Sequence, residues 1–313
     1  MMMFPAFVST LCGSLLTICI TCLAAFAVTL IFKTSTTTNF AQGSFAALGC
    51  YVTADLFNKY GVPVWLGLFA GMAVGIISGL FVDIVIFRRG KNVNAVGKQI
   101  ITMGLVSIIF GGIPLVFGTP ESIPFEAFYN TVKAGVPANF LVPFMGGELV
   151  ITKHSVICLV ITVVVLGALF LLLKYSKWGL AVRCTASNEF TAELMGINTH
   201  VITAVSWAIA GALGVLAAVM YAGSGTKIGV SFMTTIQVNA FLAGILGGFS
   251  TFYGPVVGAV CIPVASACVG FLANFPGMYG ITRWNMVIVY VLMLIVILIK
   301  PQGLMGKPIV KKV

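Results

Sequence analysis

Few residue types in this chain of 313 residues could do bond chemistry, and their spacing argues against most of it. Eight cysteines stand at positions 12, 19, 22, 50, 158, 184, 261 and 268. Cys19 and Cys22 form a CxxC, the spacing of a redox pair or half a zinc site. The pair lies inside an apolar run with no charged neighbour to lower a thiol pKa, so these residues read as small hydrophobes. His154 and His200 are far apart and in no ligand spacing, which argues against a metal site. Neither stands with a serine or paired acid in a nucleophile arrangement, so a membrane-embedded enzyme is not indicated. The chain carries no Gly-x-x-x-x-Gly-Lys-Ser/Thr phosphate loop, so energy from ATP would have to come from another protein. Asp55 and Asp83 remain as candidates for intramembrane ionisable groups of a secondary transporter or channel. Both fall near segment ends, where an interfacial or capping role is the simpler reading.

What remains is the chemistry of recognition, concentrated in two polar stretches. The longer, 174–200, is an island between apolar segments with the grammar of a short helix. Asn188 can cap its N-terminus, Glu189 sits where the macrodipole favours an anion, and Gly196 stands where a left-handed cap is wanted. About two turns follow, roughly 10 to 12 Å long. Phe190, Leu194 and Met195 share one side, giving the helix an apolar face. That face either folds back onto its own membrane domain or docks as a knob into another subunit, and the sequence leaves both readings open. The shorter stretch, 34–43, is small and polar and leads into a half-apolar segment, 44–57, that is marginal for crossing a bilayer. Irregular backbone at membrane depth is tolerated only when packed in protein or lining a wet cavity, so a discontinuous helix is expected here.

The elements that must carry these stretches follow from composition. With 60% hydrophobic and 8% charged residues, and a mean hydropathy of +1.13, the chain reads as an all-α, polytopic membrane bundle in a single domain. The formal charge of +10 does not indicate nucleic acid, because the basic residues stand at the ends of apolar runs. Eight or nine membrane segments are expected, two of them short or discontinuous. The first span, 7–32, lacks the basic flank of a signal peptide and reads as mature structure. The next long span, 62–87, carries Gly71, Gly75 and Gly79 at intervals of four, which lets another helix approach closely. After a further span, 95–117, a polar region at 118–153 with Glu121, Glu126, Lys133 and Glu148 reads as an external cap.

Beyond the cap, 155–173 spans, and the polar island separates it from 201–221. A small polar stretch, 223–231, then precedes a short apolar segment, 236–249, and another glycine-spaced span, 254–274. Together with 284–299 this repeats the order of the first half. Two weakly similar repeats are expected, about 6–117 and 201–300, of the kind transporters show. A basic tail, 300–313, closes the chain. If the tail is cytosolic and nine segments cross, 12 of the 17 lysines and arginines lie inside, which favours that orientation over its inverse. Alternation then puts the 174–200 loop in the cytosol, the cap outside, and the two repeats in opposite senses.

Trp178-Gly-Leu-Ala-Val-Arg183 through Glu193-Leu-Met-Gly-Ile-Asn198 resembles the cytoplasmic loop of the branched-chain amino acid type of ABC importer permease. Asn39-Phe-Ala-Gln-Gly43 is similar to that family's Asn-Phe-Ala-His-Gly element, and Lys300-Pro-Gln-Gly-Leu-Met-Gly306 to its C-terminal Arg-Pro-Gln-Gly-Leu. The likeness covers nearly the whole chain and favours the shorter, LivH-like, of two paralogous permeases. It departs at Gln42, where the family usually has His, and at Ser44, where an acid is common. The resemblance implies a transport subunit without cofactors of its own, half of a pore for a small solute such as a branched-chain or related amino acid. It also implies cytosolic ATP-binding cassette subunits, a second permease subunit and an extracytoplasmic solute-binding protein as partners in a cytoplasmic membrane. By the same resemblance, Arg183, Asn188, Glu189, Phe190, Ala192, Glu193, Leu194, Gly196 and Asn198 would couple to the ATPase, with apolar anchors at Phe190 and Leu194. Asn39, Phe40, Gln42, Gly43 and Ser44 would lie by the substrate path.

Overall fold

The computed structural model describes residues 3–90, 93–118, 128, 139–144, 147–225, 227–275 and 277–306. The chain opens with α1 (Met3–Gly13) and α2 (Leu15–Ser35), separated by one turn at Ser14, whose hydroxyl bonds the Leu11 carbonyl at 2.7 Å. The span expected at 7–32 lies within one helical stretch, 6–35, which loosens for a single turn at the Gly13-Ser14 pair. There follow α3 (Gln42–Tyr60), α4 (Val64–Phe81), which continues as a π-helical turn over Val82–Phe87, and α5 (Ala95–Phe117). An antiparallel hairpin of β1 (Asn139–Phe144) and β2 (Gly147–Thr152) leads to α6 (Lys153–Tyr175). The polar island forms α7 (Lys177–Ser187) and α8 (Glu189–Leu194). The rest is α9 (Thr199–Ala222), α10 (Thr234–Gly247), α11 (Gly254–Leu272) and, after a 3₁₀ turn, α12 (Asn285–Ile299).

Among the described residues, seven helical stretches are long and apolar enough to cross a membrane, counting α1 and α2 as one. To these are added α3, 19 residues long but interrupted by polar side chains, and α10, only 14 residues long. The result is a polytopic all-α bundle; of the two segments expected to be short or discontinuous, α10 is short, whereas α3 is one unbroken helix of 19 residues that begins after the irregular residues 36–41.

Burial follows from which helices are apolar on every side. From Cys19 to Ile31 every residue of α2 is buried, and α9 is buried over most of its length, so these two form the centre. Around them the contacts are exchanged: α4 packs on α9 and α11 on α2, while α3 sits between α4 and α9 and α10 between α11 and α2. Close approach needs small residues. A Cβ at Gly75 would lie 2.6 Å from the Gly211 carbonyl oxygen, and one at Gly79 would collide with the Trp207 carbonyl. On the other side, a Cβ at Gly258 would collide with the Ala243 carbonyl. The glycine spacing of the two spans is thus explained by backbone contact between helices.

The end of the 118–153 region forms the β1-β2 hairpin, against which α1 rests. Glu121, Glu126 and Lys133 lie outside the described residues, as do Lys91, Lys307, Lys311 and Lys312. The loop 174–200 also holds more than one short helix, since α7 precedes the expected one. Ser176 starts α7 by accepting a hydrogen bond from the Gly179 amide at 2.9 Å.

Candidate functional site

The first polar stretch forms the junction between α2 and α3. At its start α2 ends in a left-handed Thr36, with φ of 47°. Residues 36–41 then turn back into the bundle and α3 starts opposite the first turn of α10. A Cβ at Gly43 would lie 3.0 Å from Gln237 Oε1 and 3.3 Å from the Met233 carbonyl, so glycine lets these two helix starts meet.

An amide network locks the meeting. The Asn39 side chain accepts from the Ala41 amide at 3.0 Å and donates to Gln42 Oε1 at 3.2 Å. Gln42 Nε2 donates to the Ala210 carbonyl in mid-α9 at 2.6 Å, and Gln237 Nε2 donates to the Asn39 carbonyl at 2.9 Å. The Phe40 amide donates to Thr102 Oγ1 on α5 at 3.2 Å. Asn39, Gln42, Thr102 and Gln237 are all buried. Buried amides are costly unless bonded, and here each carries a partner.

Beside this network lies a cleft between α5 and α10. Phe40, Gly43, Ser44, Thr234 and Gln237 line its narrow end, a notch of about 80 Å³. Phe40, Thr234 and Gln237 also border a wider hollow of about 260 Å³ under Met103, Val106 and Phe241. Phe40 and Phe241 hold ring centroids 5.1 Å apart across it. The flank is open: on α5 only Thr102 and Ile113 are buried, while Ile100, Met103 and Ile108 are exposed. Of the five path residues read from the sequence, Phe40, Gly43 and Ser44 border open space. Asn39 and Gln42 brace them from behind.

The second polar stretch is built from its caps. Asn188 is extended, with φ of −161°, and its Oδ1 accepts from the Thr191 amide at 3.0 Å. At the other end Gly196 has φ of 81°, and the chain closes with Ile197 N donating to the Ala192 carbonyl at 3.0 Å. This is the left-handed termination read from the sequence. Asn198 then caps α9, accepting from the Val201 amide at 3.3 Å.

Between these caps, α8 turns only Ala192 inward. Phe190, Leu194 and Met195 are 70%, 71% and 78% exposed, so the apolar face points away from its own chain. The α7–α8 angle encloses a hollow of about 490 Å³ bordered by Leu180, Cys184 and Met195. The charged neighbours are partly used within the loop. Glu193 Oε1 accepts from Thr199 Oγ1 at 2.6 Å, and Arg183 turns back to the Gly179 and Lys174 carbonyls at 3.3 and 3.4 Å. Glu189 is exposed at the helix start.

Sequence reading missed Thr102, Thr234 and Gln237. A signal was present: each half carries a glutamine in the first turn of its shorter helix, Gln42 at the first position of α3 and Gln237 at the fourth of α10. The C-terminal motif also has a structural role. Leu304 and Met305 amides donate to the Leu246 and Gly247 carbonyls at 2.7 and 3.1 Å, clamping the end of α10. The two acids weighed for ion coupling are paired: Asp55 with Lys59 at 2.7 Å and buried Asp83 with Arg88 at 3.1 Å.

The chain is similar to known proteins along most of its length. The LivH protein of Methanocaldococcus jannaschii, described as a probable branched-chain amino acid transport permease protein, is 28% identical, covering 91% of this chain and 88% of its own. The high-affinity branched-chain amino acid transport system permease protein LivH of Escherichia coli K12 is 25% identical, covering 93% and 92%. A chain of the PsaBC complex of Streptococcus pneumoniae, solved with a Fab, shares the fold with a TM-score of 0.52 at 11% identity, over 92% of this chain and 91% of that one. A family model described as "Branched-chain amino acid transport system / permease component" matches residues 10–297, which takes in both polar stretches and every membrane helix, and the chain belongs to that family.

Proposed function

We propose that this permease is one half of the translocation pathway of an ABC importer for a small polar solute, a branched-chain or related amino acid. The observation that carries the reading is the loop helix. Three large apolar side chains, Phe190 and Leu194 on the six-residue α8 and Met195 just after it, stand exposed on a capped helix outside the spans. A contiguous apolar patch of that kind marks an interaction site. Cytosolic ATP-binding cassette subunits fit it, because the chain carries no phosphate loop of its own.

The basic end of the bundle, with Lys33, Arg88, Arg89, Lys98, Lys174, Lys177, Arg183 and Lys300, is then cytosolic, in a bacterial or archaeal cytoplasmic membrane. The cleft between α5 and α10 is completed by a second permease subunit, identical or paralogous. There the backbone of two helix starts, together with Ser44, Thr234 and Gln237, offers polar groups to a zwitterion, while Phe40, Val106 and Phe241 suit an apolar side chain. An extracytoplasmic binding protein delivers the solute to the opposite end. The subunit itself performs no catalysis and holds no cofactor; ATP is bound by its partners, whose cycle shifts the populations of two helix packings. A secondary transporter is disfavoured by the ion pairs that occupy Asp55 and Asp83.

The test is sidedness followed by uptake. With native cysteines replaced, a cysteine at Ser187 is labelled only from the cytosol and one at Met278 only from outside. Reconstituted with its cassette, second permease and binding protein, the chain takes up leucine only with ATP. The inverse labelling, or ATP-independent uptake driven by an ion gradient, overturns the reading.

A further inference from the structure

A cavity of about 760 Å³ lies at the basic end of the bundle, bordered by the base of the 174–200 loop but apart from the exposed α8 face and from the cleft between α5 and α10. It is cut into the side of the molecule over the last turn of α2. The end of α6 and the second half of α7, with Arg183, Ala186 and Ser187, form one wall, and residues 250–253 before α11 form the other. Three cations converge on it: Lys33 from α2, Lys174 from α6 and Arg183 from α7. Among the described residues no aspartate or glutamate lines it. Lys33 Nζ is anchored to the Ser250 carbonyl at 2.7 Å, which holds a positive charge on the cavity floor. Lys174 and Arg183 are exposed at the rim. The membrane-side walls are apolar, formed by Phe170 and Leu173 of α6 and by Phe252.

A pocket with three cations at the level where membrane helices end, and with apolar walls running into the span, is amphipathic in the sense of a lipid. We propose that it binds an anionic phospholipid, the phosphate held among Lys33, Lys174 and Arg183 and an acyl chain lying against Phe170 and Leu173. Charge complementarity selects the headgroup, since each nearby cation favours an anionic lipid over a neutral one by about fivefold. The apolar wall separates this occupant from a free phosphate, which would leave it unfilled. Because α7 runs from the cavity directly into Asn188, a bound lipid braces the base of α8. That consequence rests on the docking role proposed for α8, whereas lipid occupancy does not.

The experiment measures occupancy alone. The full chain is released from nanodiscs of equal parts phosphatidylglycerol and phosphatidylcholine and weighed intact with its retained lipid. Retained lipid is expected to be phosphatidylglycerol, and Lys174→Gln or Lys33→Gln lowers the ratio by about fivefold each. Lys174 is exposed, so its variant reads out even where loss of the Ser250 bond destabilises Lys33→Gln. Lys98→Gln, at the same end but outside the cavity, leaves the ratio unchanged. Equal retention of the two lipids, an equal fall in Lys98→Gln, or displacement of the lipid by millimolar inorganic phosphate would each overturn the assignment. The last of these would give the site to a free anion.

Discussion

At the start of α3 the polar side chains Asn39 and Gln42 are turned inward, and around α8 the large apolar ones, Phe190, Leu194 and Met195, are turned outward. Each arrangement inverts what a helix of its surroundings would ordinarily do. Membrane helices place amides sparingly because an unbonded one is costly, and loop helices outside the spans place their apolar residues against the protein. The α3 junction resolves its inversion internally: Asn39, Gln42 and Gln237 bond one another and the α9 backbone. The α8 helix does not resolve its own, since only Ala192 of its six residues is buried. On the function proposed above, the difference separates a brace from a docking surface. Removing a side chain from the first should cost the fold, and removing one from the second should cost an assembly.

The largest effect is expected at Phe190. Truncation to Ala removes a central aromatic anchor and weakens association with the cassette by about 2 kcal/mol or more, roughly thirtyfold, measured by co-purification and titration. The melting temperature of the permease alone stays unchanged, because the ring touches little of its own chain. A lowered melting temperature with intact association would place α8 among the braces and break the comparison.

Gln42 should behave in the opposite way. Gln42→Ala strips partners from Asn39 Nδ2 and from the Ala210 carbonyl and costs about 1 to 3 kcal/mol of stability. Uptake changes while cassette association does not. Gln42→His, the residue the resemblance puts at this position, keeps part of the network, so its melting temperature falls less and its uptake kinetics shift. Unchanged uptake in both variants would confine Gln42 to structure.

The smallest effect belongs to Gly196. A Cβ there meets nothing within 4 Å, so Gly196→Val carries only the cost of a left-handed backbone, about 1 kcal/mol. Stability of the bundle is expected to hold, while solute-stimulated ATP hydrolysis by the cassette falls because α8 no longer presents Phe190 and Leu194 at a fixed angle. Full coupling in this variant would show that the cap does not set the pose.

Much of the α8 site was legible in the chain because caps are local. Asn188 and Gly196 act on backbone groups within a few residues, so their types and spacing specify where the helix begins and ends. The α3 site was legible only as a polar interruption. Its partners Thr102, Ala210 and Gln237 are 62 to 198 residues distant, and nothing short-range announces them. The extra helix α7 and the β1-β2 hairpin were missed for a related reason: both are short, and what places them is packing against α6 and α1.

Composition by itself determined that this is a membrane bundle, since so apolar a chain has no other solvent. Glycines at intervals of four determined that two helices would be approached closely, and the order of polar and apolar stretches suggested two halves. Only the tertiary structure decided which helices meet: α4 on α9 and α11 on α2, with Gly75 against Gly211 and Gly258 against Ala243. It also decided which way each side chain faces. Gln42 and Phe190 are each an anomaly in their own segment, and sequence alone cannot say whether an anomaly is buried or displayed. That depends on what the rest of the chain brings beside it: the Ala210 carbonyl for Gln42, and open space for Phe190.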